Sequence, residues 1–400
     1  MASRLGSGVS GVSRRLGRGG SVIGGRAILA VDPRALDRLA VGRPVALVSG
    51  TNGKTTTTSL LRAALATAGP VVTNALGANL PPGLAAALAA SPPGVPAALE
   101  VDEAWLSRVA ASTAPRAVAL LNLSRDQLDR NNEVRVLASS WRTTFGPALP
   151  TTVVANADDP LVVWGAGMAP DVRWVGAGQP WTDDAAGCPS CGARIQFVGG
   201  DNGWVCGGCD FRRPPLDVRI EGDEVVDRSG NRTALRLSLP GRANLANAAM
   251  ALTVAQVLGA QPSKAVAAMS KLSEVVGRYA TVTVGGQQAR LLLAKNPAGW
   301  LEVFDFLRPA PLPVVVAINA RIADGRDPSW LWDVPFERLE RRLVVATGER
   351  SRDLAVRLHY AGVEHVHQPD LLRAVAAAPA ASVDVVANYT SFQQLRARLA

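Results

Sequence analysis

Short apolar runs recur along the first half of the chain, each followed by a polar or Gly-rich break and then a longer Ala/Leu-rich segment. Residues 44–48, Pro-Val-Ala-Leu-Val, predict a buried strand running into a Gly-rich turn, and Thr55 to Ala68 then shows helical spacing of apolar positions. Strand-like runs follow at Ala97 to Val101, Ala117 to Leu121 and Thr152 to Ala155, separated by segments of helix length. This alternation predicts a mostly parallel sheet covered by helices on both faces.

The pattern breaks near Trp181. From Thr182 to Pro215 the chain is polar, Gly-rich and holds all four cysteines, which marks an inserted module. Helical stretches are expected at Ala243 to Leu258 and Lys264 to Leu272. Beyond Gly277-Arg278 the strand–helix alternation restarts, with strands expected at Arg290 to Ala294, Val314 to Asn319, Leu343 to Ala346 and Val383 to Ala387. The expected organisation is a basic N-terminal arm (1–40), a central domain (41–280) with an insertion (183–215), and a C-terminal α/β domain (281–400).

Composition adds three constraints. A chain of 400 residues exceeds what one hydrophobic core usually serves, so more than one domain is expected. With 48% hydrophobic and 19% charged residues it is globular rather than disordered. Its longest apolar runs, such as Leu312 to Ile318, have strand length, far short of the ~20 residues of a membrane-spanning helix. Residues 1–26 contain no apolar segment of the kind that leads a secretory signal, so a cytoplasmic protein is expected.

The formal charge of +9 is carried by arginine, 38 against 4 lysines, and the first 43 residues hold eight Arg against two Asp. Two readings remain open here: a compositional bias of the source, or attraction to an anionic membrane face or a phosphorylated substrate.

The break after the first strand reads Gly50-Thr51-Asn52-Gly53-Lys54-Thr55, followed by Thr56 at the start of a helix. Strand, Gly-rich turn and helix N-terminus together make a phosphate loop. The glycines let backbone N–H groups approach phosphate oxygens, Lys54 reaches the terminal phosphates of ATP, and the Thr55 hydroxyl is placed to ligate Mg2+. The general pattern asks for Gly five places before Gly53, where this chain has Val48.

Cys188-x-x-Cys191 and Cys206-x-x-Cys209 are separated by fourteen residues. Two such knuckles bring four thiolates into the tetrahedron of a closed, structural Zn2+ site, which leaves no open position for a catalytic water. Neither pair opens the strand–helix unit of a redox dithiol.

The shortened loop, Val48 to Thr55, resembles that of the Mur ligase superfamily, and further residues fit the superfamily in order. Glu100 ends the run Leu99-Glu100-Val101-Asp102-Glu103 where those enzymes carry a Mg2+-binding glutamate. Asn156-Ala157-Asp158-Asp159-Pro160 resembles the segment after their central strand. Asn244 and Asn247, in Gly241 to Ala248, match a nucleotide-contacting helix start, and Arg278 matches the arginine at the hinge into the C-terminal domain.

Within the superfamily the chain most resembles the MurT-like ligase subunits of lipid II isoglutaminyl synthases. The resemblance is carried by Ser13 to Gly19, Thr73-Asn74 with Gly77-Ala78-Asn79, Ser124 to Arg130, Lys295 to Gly299 and, above all, Ala323 to Asp333. Ser124 and Asn131-Asn132 depart from that pattern. So does the lack of any lysine between Lys54 and Lys264, where Mur ligases often carry a modified one.

The resemblance implies an α/β fold with a Mur ligase-like ATPase domain, an inserted four-cysteine zinc ribbon and a Rossmann-like C-terminal domain. It implies phosphorylation of the D-glutamate α-carboxyl of lipid II, with Lys54 and Glu100 in the catalytic set and Thr55 and Glu100 holding Mg2+, then amidation by ammonia. Freeing ammonia from glutamine takes a nucleophilic cysteine and a histidine base. All four cysteines are assigned to zinc and the only histidines are His359, His365 and His367, so a GatD-like glutaminase subunit is the implied partner. Such ligase subunits are thought to lend that partner an aspartate; the matching residue is Asp327, with Asp324 and Asp333 as alternatives. Lipid II further implies contact with the inner membrane surface. An amino-acid ligase of the Mur or folylpolyglutamate type is the rival reading. A nucleic-acid-binding ATPase is not expected, because no aromatic-rich basic groove accompanies the charge.

Overall fold

The computed structural model describes residues 20–74, 77–125, 134–198, 203–273, 279–284 and 286–399. Of these, residues 20–124, 134–239 and 243–273 pack into one compact unit, and Arg125, residues 240–242 and residues 279–399 into a second. Among the described residues no helix is long and apolar enough to cross a membrane.

The first unit is built on an eight-stranded sheet. Its strands are β1 (Val45–Ser49), β2 (Ala97–Glu100), β3 (Ala117–Leu120), β4 (Thr152–Asn156), β5 (Asp171–Gly176), β8 (Val218–Glu221), β9 (Glu224–Asp227) and β10 (Arg232–Ala234), in the order β10-β9-β8-β5-β4-β3-β1-β2. The pairs from β2 across to β8 are parallel, and β8, β9 and β10 form an antiparallel edge. Strands β1, β2 and β3 are buried at every position, which explains the apolar runs Val45–Val48, Ala97–Leu99 and Ala117–Leu120 in this parallel sheet. A side chain such as Leu47, fully buried there, contributes about 1.5–3 kcal/mol.

Helices Lys54–Leu65, Pro81–Ala89, Leu106–Thr113, Val134–Thr144 and Pro160–Ala166 connect the parallel strands. β5 and the β8–β10 edge are additions to the strands expected from sequence. β8 to β10 are three or four residues long and carry charges such as Arg219, Glu221 and Arg232, so they give no apolar run to read.

The described part of the expected N-terminal arm is not free-standing. Residues 20–40 form helices Gly20–Val31 and Ala35–Ala40, whose Ile28, Ala35, Leu36 and Ala40 join the central core. A Cβ at Gly25 would lie 1.7 Å from the Pro82 carbonyl oxygen, so the missing side chain is what lets the first helix cross Pro81–Ala89 this closely. Residues 1–19 lie outside the described residues.

The inserted module consists of the hairpin β6 (Ile195–Phe197) and β7 (Trp204–Cys206) with its flanking turns. Its own core is small: Cys188, Ile195 and Trp204 pack with Phe211 onto Val163 of the central unit.

The second unit is a six-stranded sheet of β11 (Tyr279–Val284), β12 (Gln287–Leu293), β13 (Val314–Ala317), β14 (Val344–Thr347), β15 (His365–His367) and β16 (Ser382–Ala387), ordered β11-β12-β16-β13-β14-β15. Only the β11–β12 pair is antiparallel. Separate cores cover its two faces, one around Trp300 and Phe336 and the other around Phe392 and Leu395.

Candidate active site

The phosphate loop lies between β1 and the helix Lys54–Leu65. Gly50 has φ +144° and Gly53 φ +82°, a region L side chains rarely adopt. A Cβ at Gly50 would meet Asn122 N and Leu121 Cβ at 2.9 Å, and one at Gly53 would meet Asn247 Oδ1 at 2.5 Å. Gly50 is required by the Asn122 backbone packed against it, and Gly53 chiefly by its left-handed φ.

The segment after β3 fastens the loop. Thr51 N donates to Asn122 O (2.9 Å), the Thr51 hydroxyl donates to Ser124 O (3.1 Å) and accepts from Ser124 N (3.0 Å), and Asn52 N donates to Asn122 Oδ1 (2.9 Å). That segment is tied in turn to Asp159, whose Oδ2 accepts from Leu123 N at 2.8 Å and whose Oδ1 caps the helix Pro160–Ala166. Burial pushes the Asp159 carboxyl up to about 6, against the lowering effect of the N–H groups of Leu123, Val162 and Leu161.

Two carboxylates, one at the end of β2 and one in the turn after it, meet the loop. Glu100 Oε2 accepts from the Thr55 hydroxyl at 2.9 Å. Asn74 clamps the Glu100 backbone by donating to its carbonyl (3.0 Å) and accepting from its N–H (2.9 Å), and Asn79 donates to Glu100 Oε1 at 3.4 Å. Those two asparagines belong to the Thr73-Asn74 and Gly77-Ala78-Asn79 motifs. A hydroxyl beside a buried carboxylate is the hard-oxygen donor set that Mg2+ takes. Lys54 Nζ donates to Glu103 Oε2 at 2.8 Å, with side chains only 5% and 4% exposed. Glu103 was not singled out from sequence, since three acidic residues crowd the run Glu100 to Glu103 and only the turn decides which one faces the lysine.

Asn247 is brought to the loop by the helix Arg242–Val257, and its Oδ1 accepts from the Thr57 hydroxyl at 3.1 Å. Asn244 lies half-buried one turn earlier in that helix, and Thr56 is buried in the first turn of Lys54–Leu65. Arg278 lies outside the described residues, as do residues 126–133.

The four cysteines converge. Their Sγ atoms all lie within 4.8 Å of one another, with Cys188–Cys209 at 3.8 Å and Cys191–Cys206 at 3.4 Å. A tetrahedron with metal–thiolate bonds of about 2.3 Å has edges of about 3.8 Å, so the set fits a four-coordinate metal site. The Gly208 N–H, donating to Cys206 Sγ at 3.3 Å, brings that thiol down to about 7, whereas burial pushes Cys188 up.

In the second unit, the loop after β13 holds the other aspartates. Asp327 is exposed, and its Oδ1 accepts from Ser329 N at 2.8 Å in an Asx turn. Asp324 is buried and accepts from both the backbone N–H (2.8 Å) and the hydroxyl of Thr390, which pins the loop to the start of the helix Tyr389–Leu399. Asp333, 41% exposed, pairs with Arg125 at 3.4 Å. The three acids, with Lys295 and Asn296, line one small crevice.

Residues 48–178 match the Mur ligase middle domain and residues 293–392 the MurT ligase C-terminal domain. The chain is 29% identical to the lipid II isoglutaminyl synthase (glutamine-hydrolyzing) subunit MurT of Streptococcus pneumoniae, over 97% of this chain and 94% of that protein. It is 28% identical to the subunit of the same name from Staphylococcus aureus, with the same coverage. Among solved structures, a pseudomurein peptide ligase type C from Methanothermus fervidus has a TM-score of 0.70 at 19% identity, covering 89% of this chain and 78% of its own. MurF from Acinetobacter baumannii has 0.65 at 14%, covering 95% and 80%. These likenesses establish the fold, and the two domain matches with the near full-length relatives establish more: the chain belongs to the Mur ligase family, in its MurT group.

Proposed function

We propose that the chain is the ATP-using ligase subunit of a two-subunit amidotransferase. It would convert the D-glutamate α-carboxyl of the lipid II stem peptide into the amide of D-isoglutamine, in peptidoglycan synthesis. The observation that carries this reading is the Thr55–Glu100 pair set beside Lys54 on one phosphate loop.

Lys54 and the loop N–H groups bind and orient the triphosphate. Thr55 and Glu100 would hold Mg2+, which when bound would offset charge on the transferred phosphoryl group. A carboxylate oxygen of the substrate attacks the γ-phosphorus and ADP leaves. Ammonia then attacks the acyl phosphate carbon, phosphate leaves, and the nitrogen loses a proton to give the amide. Asn244, Asn247 and Arg278 complete the nucleotide site in this reading.

The ammonia is proposed to come from a GatD-like glutaminase. The relatives are named as subunits of a glutamine-hydrolyzing synthase, and all four cysteines of this chain converge in the metal cluster. Asp327 is the residue proposed to orient the partner's catalytic histidine, because its exposed carboxylate can be reached from outside the chain. Asp324 is committed to Thr390 and Asp333 to Arg125, which ranks both behind Asp327. We assign Zn2+ to the cysteine cluster, where it holds the ribbon and does no chemistry; metal analysis of the purified chain should return about one zinc per chain. The proposed location is the cytoplasm, at the inner membrane face where lipid II is presented.

The test is co-expression with a candidate glutaminase subunit, followed by ATP-dependent amidation of lipid II with glutamine as the only nitrogen source. Amide formation that requires both subunits is the expected result. Turnover with a free amino acid in place of ammonia would instead favour an amino-acid ligase.

A further inference from the structure

We propose that Glu103 is the positioning residue for Lys54 in the phosphoryl-transfer step, a role separate from that of Glu100. The inference rests on the reading of the Gly50–Thr55 loop as an ATP site. The two carboxylates are three residues apart and address different partners: Glu100 faces the Thr55 hydroxyl at 2.9 Å and Glu103 faces the Lys54 ammonium at 2.8 Å. Lys54 Nζ also donates to the carbonyls of Gly50 (2.5 Å) and Thr51 (3.2 Å).

An ammonium has three N–H bonds, so an arriving phosphate oxygen has to take the place of one of these acceptors. All three bonds have an ionised donor, but only the one to Glu103 also has an ionised acceptor, which makes it an ion pair and the hardest to give up. Drawing the ammonium off Glu103 would break an ion pair whose side chains are only 5% and 4% exposed, the costliest of these exchanges. Phosphate therefore displaces the carbonyls, and Glu103 stays bound. Lys54 then bridges carboxylate and phosphate, as the lysine of the lysine–glutamate pair does in protein kinases.

The backbone of Glu103 is held rigidly enough for this. Its carbonyl accepts from the indole N–H of Trp141, a fully buried side chain of the helix Val134–Thr144, at 3.1 Å. Two residues earlier, Val101 N donates to Val48 O at 2.9 Å and Val101 O accepts from the Ser49 hydroxyl at 2.9 Å, which bolts the turn to β1. The carboxylate is thus carried on backbone fixed at both ends, and it fixes the ammonium in turn.

The experiment is a double-mutant cycle on the full-length chain, with MgATP binding measured by calorimetry for wild type, Glu103→Gln, Lys54→Ala and the double variant. Glu103→Gln is expected to weaken MgATP binding by about tenfold, and to add less than about twofold once Lys54 is already alanine. Glu103→Asp, which keeps the charge on a shorter arm, should fall between wild type and Gln. It also serves as the readout if the Gln variant does not fold. The proposal is overturned if Glu103→Gln binds MgATP as tightly as wild type or more tightly, because the carboxylate would then be a competitor of phosphate. Additive losses in the cycle would also overturn it. Failure of the wild-type chain to bind MgATP at all would instead remove the ATP reading on which the inference stands.

Discussion

The phosphate loop meets acidic side chains from β2 and its following turn, and the loop after β13 carries acids of its own, yet the two places are built in opposite ways. Around the first, Glu100 and Glu103 are buried and already meet their partners within the central unit. On the second, Asp324 is buried and committed to Thr390, while Asp327 three residues on is exposed and bonded only locally to Ser329 N in the contacts described above. A site whose residues complete one another can act on a small ligand. A loop with one acid spent on anchoring and another turned outward is arranged to serve something that arrives from outside. Under the proposed function the comparison separates residues that the ATP step would need from a residue that only the glutaminase step would need.

The largest effect should come from Lys54→Ala, which removes the cation beside the transferred phosphoryl group. ATP-dependent amidation is expected to fall about a thousandfold, and the unliganded melting temperature should fall as well, because Glu103 loses its buried counter-charge. A variant still amidating at more than a tenth of the wild-type rate would end the assignment of Lys54 to the chemistry.

Asp327→Asn should leave that step alone. In the complex with the glutaminase, glutamine-dependent amidation is expected to drop about a hundredfold while turnover on ammonium chloride stays within about twofold. Asp324→Asn sharpens the contrast inside the same loop. It loosens the Thr390 anchor and should lower thermal stability, by about 1–3 kcal/mol, together with glutamine-dependent activity. Equal behaviour of the two variants in both assays would remove the distinction drawn between them.

The smallest effect is a pH slope behind the phosphate loop. The folded-state value of Asp159, about 6, lies above its ordinary value of 3.8, so the folded protein holds this proton more tightly than the unfolded chain does. The resulting stability is fully present below about pH 4 and is lost as the pH rises through 6. Asp159→Asn should remove that contribution, and the difference between variant and wild type in urea unfolding should change by up to about 1.4 kcal/mol per pH unit between pH 4 and 6. A constant difference across that range would show that Asp159 titrates at its ordinary value.

What could be read in advance was whatever is local in sequence. The strand–Gly–Lys–Thr–helix order, the spacing of the cysteines and the short apolar runs within β1 to β4 each depend on residues within a few places of one another, so their positions needed no fold. Glu100 and Asn247 were legible through resemblance, and the structure brings both to the loop. Other features depend on tertiary context. The partner of Lys54 is chosen by the turn after β2, which Trp141 holds from another helix. Residues 1–40 read as an arm because residues 1–26 are rich in Gly, Ser and Arg, but Gly25 serves a close helix crossing that composition cannot disclose. β15 escaped notice because a three-residue edge strand containing two histidines has no apolar period.

The hydrogen bond from Thr57 to Asn247 spans 190 residues of chain. A ribosome adding ~5–20 residues per second therefore needs roughly 10 to 40 s to pass from one partner to the other. For that interval the nascent chain carries the glycines and lysine of its phosphate loop without the asparagine that packs against Gly53. Nucleotide cannot act as a template for the first half of the chain in its final geometry, and the loop is finished only when synthesis has moved well past the ribbon.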